Sequence, residues 1–204
     1  MLATVLSSAV LGIEAYPVEV EVDISNGLPA FNIVGLPDTA CRESADRVRA
    51  AINNSDLPFP AKKITVNLAP ADLKKEGCAF DLAIAVGILV ANETITKEAV
   101  QDKVFCGELS LDGRIRGVPG ILSRALCLLS EERKKDFVIP LSNAKEAWCV
   151  KGLSVCPVKH LFQVIRFLKR QESLPIKEEP PSGKTKDSSN HAFRTVTQAP
   201  ATVA

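Results

Sequence analysis

The stretch PADLKKEGCAFDLAIAVGIL, residues 70–89, decides the fold of this chain. A polar loop that ends in Lys75-Glu76-Gly77 runs directly into a helix that is apolar on nearly every side, and one acid, Asp81, lies in its first turn. Such a helix is expected between two layers of the structure rather than on a surface. In one known fold a junction of this kind carries a nucleophile, so its residues distinguish an enzyme from a binding module.

The composition predicts one globular domain followed by a short additional segment. Of the 204 residues, 46% are hydrophobic and 24% are charged, which is enough for a sizeable core. Aromatic residues make up only 5%, so aliphatic side chains and alanine must fill that core. The net charge of +1 gives no support to a general affinity for nucleic acid, membranes or acidic substrates.

The six cysteines predict free thiols rather than disulfides or a metal site. They lie at positions 41, 78, 106, 127, 149 and 156, and no two have C-x-x-C spacing. The longest apolar run, residues 80–91, is far shorter than the ~20 residues that span a bilayer. Residues 1–16 lack the basic residues of a signal peptide. We therefore expect a cytoplasmic protein with reduced cysteines and no membrane segment.

The first third of the chain predicts three strands and a helix. Residues 2–12, 18–24 and 31–37 have strand character, and their closeness in sequence predicts an antiparallel meander. In the second strand, period-two alternation places Glu19, Glu21 and Asp23 on the solvent-exposed face. Asp38 is a candidate N-cap for a helix that continues to about Asn54, and a further strand is expected at 64–69.

The remaining elements complete a mixed fold. Asp112-Gly113 is a two-residue turn signal that predicts a hairpin over 104–118. Ser142 is a candidate cap for a short helix that ends at Trp148. Further helices are predicted at 119–132 and 159–170, and further strands at 136–140 and 153–158. The apolar stripe of the first of these helices is Ile121, Leu122, Ala125, Leu128 and Leu129. Mixed strands and helices around one core predict an α+β or α/β sandwich.

Residues 171–204 have the composition of a disordered linker or tail, rich in Pro, Ser, Thr and charge. Gly183-Lys184-Thr185 in this segment ends like a phosphate-binding (Walker A) loop, G-x-x-x-x-G-K-[ST]. The first Gly of that motif is replaced by Glu178, and no buried strand precedes it. No ATP-binding site is therefore expected in this chain.

Several long motifs resemble one family. GLPAFNIVGLPD (27–38), E-S-x-x-R-V-R-A-A-I (43–52), ITVNLAPAD (64–72), K-E-G (75–77) and GELSLDGRIR (107–116) are similar to the N-terminal domain of magnesium-chelatase-like AAA+ proteins, the ComM/YifB family. The resemblance covers about residues 1–170. It implies a Lon-protease-like, ribosomal-S5-domain-2-like fold that precedes an AAA+ ATPase domain. It also implies hexameric rings and, for ComM proteins, ATP-dependent branch migration of DNA during natural transformation.

The same resemblance raises the question of a peptidase. Lon-type proteases use a Ser after a K-D-G-P loop and a Lys on a later helix, because the hydroxyl needs a desolvated amine beside it. Alignment of K-E-G with that loop places Ala79 at the Ser position and Leu122 at the Lys position. Both catalytic groups are missing. Cys78 is a candidate substitute nucleophile, but a structural thiol is the favoured interpretation because no His or Lys is positioned by sequence to activate it.

Other polar residues receive structural or surface roles. Asp81 is expected to anchor the helix start through the free N–H groups of its own helix and the helix dipole. His160 and His191 differ too much in context to predict a metal site. Seven basic residues are candidates for a face that contacts DNA phosphates, although a solvated mixed-charge face is favoured: Arg42, Arg47, Arg49, Lys62, Lys63, Arg114 and Arg116.

Two functions from different classes therefore remain. The first is a non-catalytic accessory domain, truncated or separately encoded, whose partners are an AAA+ motor domain or ring subunits and, as a further possibility, DNA. On this hypothesis ATP and Mg²⁺ belong only to the motor, and the chain itself has no cofactor. The alternative is an altered Lon-like peptidase that uses Cys78.

Overall fold

A central mixed sheet organises the molecule. The structure is a computed structural model that describes residues 1–130 and 135–173. The strands are β1 Leu2–Leu11, β2 Glu14–Ser25, β3 Ala30–Val34, β4 Lys63–Ala69, β5 Lys103–Phe105, β6 Glu108–Leu109, β7 Ile115–Arg116, β8 Asp136–Pro140 and β9 Val155–Val158. The helices are α1 Thr39–Arg42, α2 Ser44–Asn53, α3 Asp81–Ala91, α4 Ile121–Leu129, α5 Ala144–Ala147 and α6 Leu161–Leu168, with short 3-10 turns at Lys97–Ala99 and Leu141–Asn143.

Seven strands form the main sheet in the order β3-β4-β2-β1-β5-β8-β9. β1 and β2 pair as an antiparallel hairpin, β4 pairs antiparallel with β2, and β3 runs parallel to β4. The predicted three-strand meander is therefore wrong, because β4 lies between β2 and β3. Burial explains the order: Ile64, Val66 and Leu68 of β4 are fully buried, as an inner strand requires, whereas every residue of β3 is half-buried or exposed, as at an edge.

The two faces of the sheet carry two apolar clusters. The larger cluster joins β1, β2 and β4 to α2, α3 and α6, and the smaller joins β5 and β8 to α4 and α5. Alternation along β8 shows the division, since Val138 faces the larger cluster while Phe137 and Ile139 face the smaller. The α+β sandwich predicted from the sequence is confirmed.

Helix α3 is buried within the larger cluster, as the sequence of residues 70–89 predicts. All of its 11 residues are buried. Gly87 allows the close approach to the sheet, because a Cβ at that position would lie 2.6 Å from Cγ2 of Val22 on β2. No helix among the described residues has both the length and the apolar character needed to cross a bilayer.

The structure corrects several local predictions. Asp38 is the N-cap, as predicted, but the helix after it is divided into α1 and α2. Asn143 rather than Ser142 precedes α5, and its side chain donates to the Glu146 side chain at 3.2 Å instead of capping the helix backbone. Leu122 and Leu129 of α4 are exposed, so its buried stripe is narrower: Ile121, Arg124, Ala125 and Leu128.

The predicted hairpin over 104–118 is shorter than expected. β5 belongs to the main sheet, and only β6 and β7 pair with each other. The loop has three residues rather than two, because the N–H of Ser110 donates to the carbonyl of Arg114, with Gly113 at φ +84°. The predicted tail at 171–204 lies outside the described residues from position 174 onward, as do His191 and the Gly183-Lys184-Thr185 motif.

Two glycines with positive φ give a matched stability test. Gly35 (φ +93°) lies where a Cβ would be 2.3 Å from the backbone oxygen of Leu68, whereas Gly12 (φ +65°) has open space around it. We expect Gly35→Ala to lower the free energy of unfolding by roughly 2–4 kcal/mol, because backbone atoms must move. Gly12→Ala should lower it by about 1 kcal/mol, from the positive φ alone. Urea denaturation of both variants measures the difference, and equal losses would contradict the close packing of Gly35.

Candidate functional site

Asp81 is the most connected polar group at the loop-to-helix junction. It is the first residue of α3, and its side chain is fully buried. Its carboxylate accepts hydrogen bonds from Oγ of Ser44, from Nε and Nη2 of Arg47 at 2.7 and 3.1 Å, and from the N–H of Leu109 at 3.1 Å. The expectation that Asp81 is held by N–H groups of its own helix is wrong, since the donors come from α2 and β6. We call this group the Asp81 network: Ser44, Arg47, Asp81 and Leu109.

Burial and hydrogen-bond donors have opposite effects on the pKa of Asp81. Burial raises the pKa of Asp81, and the hydrogen bonds from Arg47, Ser44 and Leu109 oppose this shift. The hydrogen bond to Asp81 in turn raises the pKa of Arg47. When one partner of such a buried carboxylate is removed, the folded protein is strongly destabilised, because a buried charge loses its compensation. The network is therefore a structural link between three elements.

A second link fixes the loop before α3. Asp38 accepts from the N–H of Cys41 at 2.7 Å and from the N–H of Gly77 at 3.0 Å, so one carboxylate caps α1 and holds the loop. The backbone of Asp38 also donates to the carbonyl of Lys75 at 2.9 Å. The Lys75 side chain is fully buried and donates to the carbonyl of Pro70. Burial lowers the pKa of Lys75. The sequence reasoning missed this buried lysine, because Lys75 follows another lysine in a polar loop.

Apolar residues stand at the two positions that the sequence alignment assigns to a Lon-type dyad. Ala79 is 4% exposed and belongs to the smaller apolar cluster, and its carbonyl accepts from the N–H of Gly107 at 2.9 Å. Leu122 is 41% exposed on α4, and its N–H donates to Glu146 at 2.8 Å. Neither side chain offers a hydroxyl or an amine. A methyl group and an isobutyl group at these positions cannot perform nucleophilic catalysis.

Arg124, beside Leu122 in sequence, is a second buried cation that the sequence did not predict. Its Nη1 donates to Oγ of Ser8 at 3.1 Å and lies 3.7 Å from Sγ of Cys106. Its Nε is buried without a hydrogen-bond partner in the described part of the chain. The arginine thus ties α4 to β1 across the smaller cluster, and its helical spacing from Ile121 and Leu128 was the available signal that it faces inward.

Cys78 is held as a protonated thiol. Its Sγ donates to Oε2 of Glu108 at 2.8 Å. Burial, followed by the hydrogen bond and the negative charge of Glu108, raises the pKa of Cys78 to about 12. The thiolate is the nucleophilic form of cysteine, so this environment opposes nucleophilic chemistry at neutral pH.

The seven basic residues proposed as a DNA face lie in several different places. Arg47 is bound to Asp81, and Arg49 lies 5.4 Å from the ring centroid of Phe59. Arg42 and Lys63 line a cavity of about 570 Å³ beside β3. Lys62 is exposed. Arg114 and Arg116 belong to the β6–β7 hairpin and line a different cavity.

His160 has a structural role beside the loop of the β6–β7 hairpin. Its Nδ1 accepts from the N–H of Phe162 at 3.3 Å and caps α6, while Nε2 lies 2.9 Å from the carbonyl of Asp112. The described residues contain no group of three or more His, Cys, Asp or Glu side chains that could hold a metal ion.

Comparison with known proteins gives matches over most of the chain. Residues 20–143 match the family model described as subunit ChlI of Mg-chelatase. The chain is 43% identical over 178 residues to the competence protein ComM of Haemophilus influenzae, which covers 87% of this chain and 35% of that protein. It is 44% and 45% identical over 173 residues to uncharacterised YifB proteins of Escherichia coli and Salmonella typhimurium, which covers 85% of this chain and 34% of each relative. The chain thus spans about a third of the length of these curated relatives.

The Asp81 network predicts a large stability effect. Asp81→Ala should lower the free energy of unfolding by about 3–5 kcal/mol, because it removes the buried carboxylate that pairs with half-buried Arg47 and leaves the N–H of Leu109 without its acceptor. Glu43→Ala is the matched control, since exposed Glu43 contacts the same arginine at 3.8 Å and should contribute little. Denaturant titrations of the two variants measure the contrast. Equal, small losses would mean that the network does not hold the junction.

The environment of Cys78 predicts slow alkylation. At pH 8 we expect Cys78 to react with iodoacetamide far more slowly than exposed Cys149, because the raised pKa of Cys78 leaves almost no thiolate. Glu108→Gln should speed the alkylation of Cys78, since it removes the negative charge, and leave Cys149 unchanged. Peptide mass spectrometry gives both rates in one sample. A wild-type Cys78 that reacts as fast as Cys149 would contradict the assignment.

Proposed function

The chain belongs to the magnesium-chelatase-like family of ComM and YifB, as an N-terminal domain, and we propose that it serves as a non-catalytic accessory domain of an AAA+ ATPase. This proposal is supported by the loop-to-helix junction, where buried Ala79 stands at the position that the sequence resemblance assigns to a Lon-type nucleophile. The neighbouring thiol of Cys78 is held protonated by burial and by Glu108. On this proposal ATP and Mg²⁺ belong to the motor part of the family, and this domain contributes binding surface.

The reaction to which the domain contributes is proposed from the relatives. One relative is named a competence protein. We infer that the motor drives ATP-dependent branch migration of DNA during natural transformation, with the domain held against the AAA+ ring. A rigid domain suits this role, because the Asp81 network and the Asp38 contacts fix the junction without leaving a reactive group.

Hydrolysis assays test the non-catalytic part of the proposal. The purified 204-residue chain should hydrolyse neither a fluorogenic peptide library nor ATP. Cys78→Ala and the control Cys149→Ala should both leave peptide hydrolysis at background. Peptide turnover that is lost in Cys78→Ala and kept in Cys149→Ala would establish the altered peptidase instead. ATP hydrolysis by this chain alone would contradict the proposal as well.

An assembly experiment tests the accessory part. A ComM relative from which the matching domain has been deleted should bind this chain added in trans, and sedimentation velocity should show one complex larger than either component. The control is the same relative with its own domain intact, which should bind less of the added chain because the position is occupied. Absence of any complex with the deleted relative would contradict the accessory role.

A further inference from the structure

The β6–β7 hairpin forms one wall of a basic groove that the accessory role does not explain. The groove has a volume of about 780 Å³, within the range of ligand sites. Its lining contains four cations, two hydroxyls, two aliphatic side chains and no acid: Ser110, Arg114, Ile115, Arg116, Leu141, Ser142, Lys145 and Lys159. This concentration of positive charge contrasts with the chain's net charge of +1.

Backbone hydrogen bonds hold the walls of the groove together. The N–H of Ile115 donates to the carbonyl of Lys159 at 2.8 Å, and the N–H of Leu161 donates to the carbonyl of Gly113 at 2.8 Å. The side chain of Asn143 adds two further bonds: its Oδ1 accepts from the N–H of Val118 at 3.0 Å, and its Nδ2 donates to the carbonyl of Val118 at 2.9 Å. The hairpin backbone that carries Arg114 and Arg116 is therefore fixed relative to the segments that carry Lys145 and Lys159. The groove is preformed.

Gly117 shows how closely the walls approach. A Cβ at this position would lie 2.8 Å from Oγ of Ser142. The glycine brings the hairpin backbone against the segment that carries Ser142 and Lys145. Ser110, at the base of the groove, is 9% exposed, and its buried hydroxyl has no hydrogen-bond partner in the described part of the chain. A buried hydroxyl without a partner is unusual in a folded protein and is consistent with a ligand that supplies one.

The charges of the groove are only partly neutralised. Arg114 pairs with Asp112 at 2.6 Å, and Arg116 lies 3.7 Å from Glu108, which also accepts from Cys78. Within residues 1–130 and 135–173, Lys145 and Lys159 have no recorded ion pair. Two exposed lysines and two exposed arginines thus line one open cavity. Such an arrangement attracts an anion with several negative charges along its length.

We propose that this groove binds the sugar–phosphate backbone of a nucleic acid strand. Guanidinium forks, ammonium groups and serine hydroxyls are the donors that phosphate oxygens accept from, and Ile115 and half-exposed Leu141 offer apolar contact to sugar or base faces. The volume exceeds that of a single phosphate group. The proposal goes beyond the accessory role and depends on the groove alone, so failure here is distinguishable from failure of the hydrolysis and assembly tests.

Fluorescence anisotropy with a labelled oligothymidylate tests the groove on the full chain. The double variant Lys145→Gln/Lys159→Gln should weaken binding on the order of tenfold at 0.1 M salt and reduce the slope of log K against log salt by roughly 1.4, since each lost phosphate contact removes about 0.7 from the slope. The matched control is Lys97→Gln/Lys169→Gln, two exposed lysines outside the groove, which should bind as wild type does. Thermal unfolding checks that both variants are folded.

Several results would overturn the proposal. The first is an absence of strand binding by the wild-type chain, and the second is equal weakening in the groove variant and the control. Poly-glutamate that binds as tightly as the oligonucleotide would assign the groove to an acidic protein partner. Inorganic phosphate that displaces the strand at equal phosphate concentration would assign it to a small phosphate ligand. Selective loss in the groove variant, with weak competition by both anions, supports the assignment.

Discussion

The hydrogen bonds of Asp81 are the constraint on which the rest of this structure depends. A single buried carboxylate receives donors from α2, through Ser44 and Arg47, and from β6, through the N–H of Leu109. It also stands at the first residue of α3, the helix that fills the larger cluster. Because burial makes an unpaired partner costly, the three elements take one relative position. The loop before α3 is fixed independently through Asp38 and Gly77.

The β6–β7 hairpin connects the loop-to-helix junction before α3 to the basic groove. Leu109 of β6 donates to Asp81 on one side, and residues 110, 114 and 116 line the groove on the other. Glu108 likewise contacts Cys78 and lies near Arg116. The hairpin that contacts Asp81 and Cys78 therefore also forms one wall of the groove.

The sequence predicted the buried helix, the Asp38 cap and the α+β class, because each depends on local pattern: continuous apolar character, a capping residue and alternation. The wrong predictions concern long-range pairing. β4 lies between β2 and β3 because it pairs with both strands and buries Ile64, Val66 and Leu68 on one face, and adjacency in sequence does not reveal this pairing. The partners of Asp81 could not be predicted either, since Arg47 is 34 positions away and looked like part of a charged helix face. Lys75 was missed because nothing local marks a lysine in a polar loop as buried, whereas the helical spacing of Arg124 from Ile121 and Leu128 did indicate an inward-facing position.

Native-state hydrogen exchange of the Leu109 amide tests most directly whether Asp81 ties the hairpin to the core. The account predicts that this amide exchanges only through global unfolding, with the same free energy of opening as amides of the inner strands β2 and β4. The amide of Gly113, at the loop of the hairpin, should exchange faster through local opening. Exchange of Leu109 at the rate of Gly113 would show that the hairpin opens as a unit, and would contradict the central role given to Asp81.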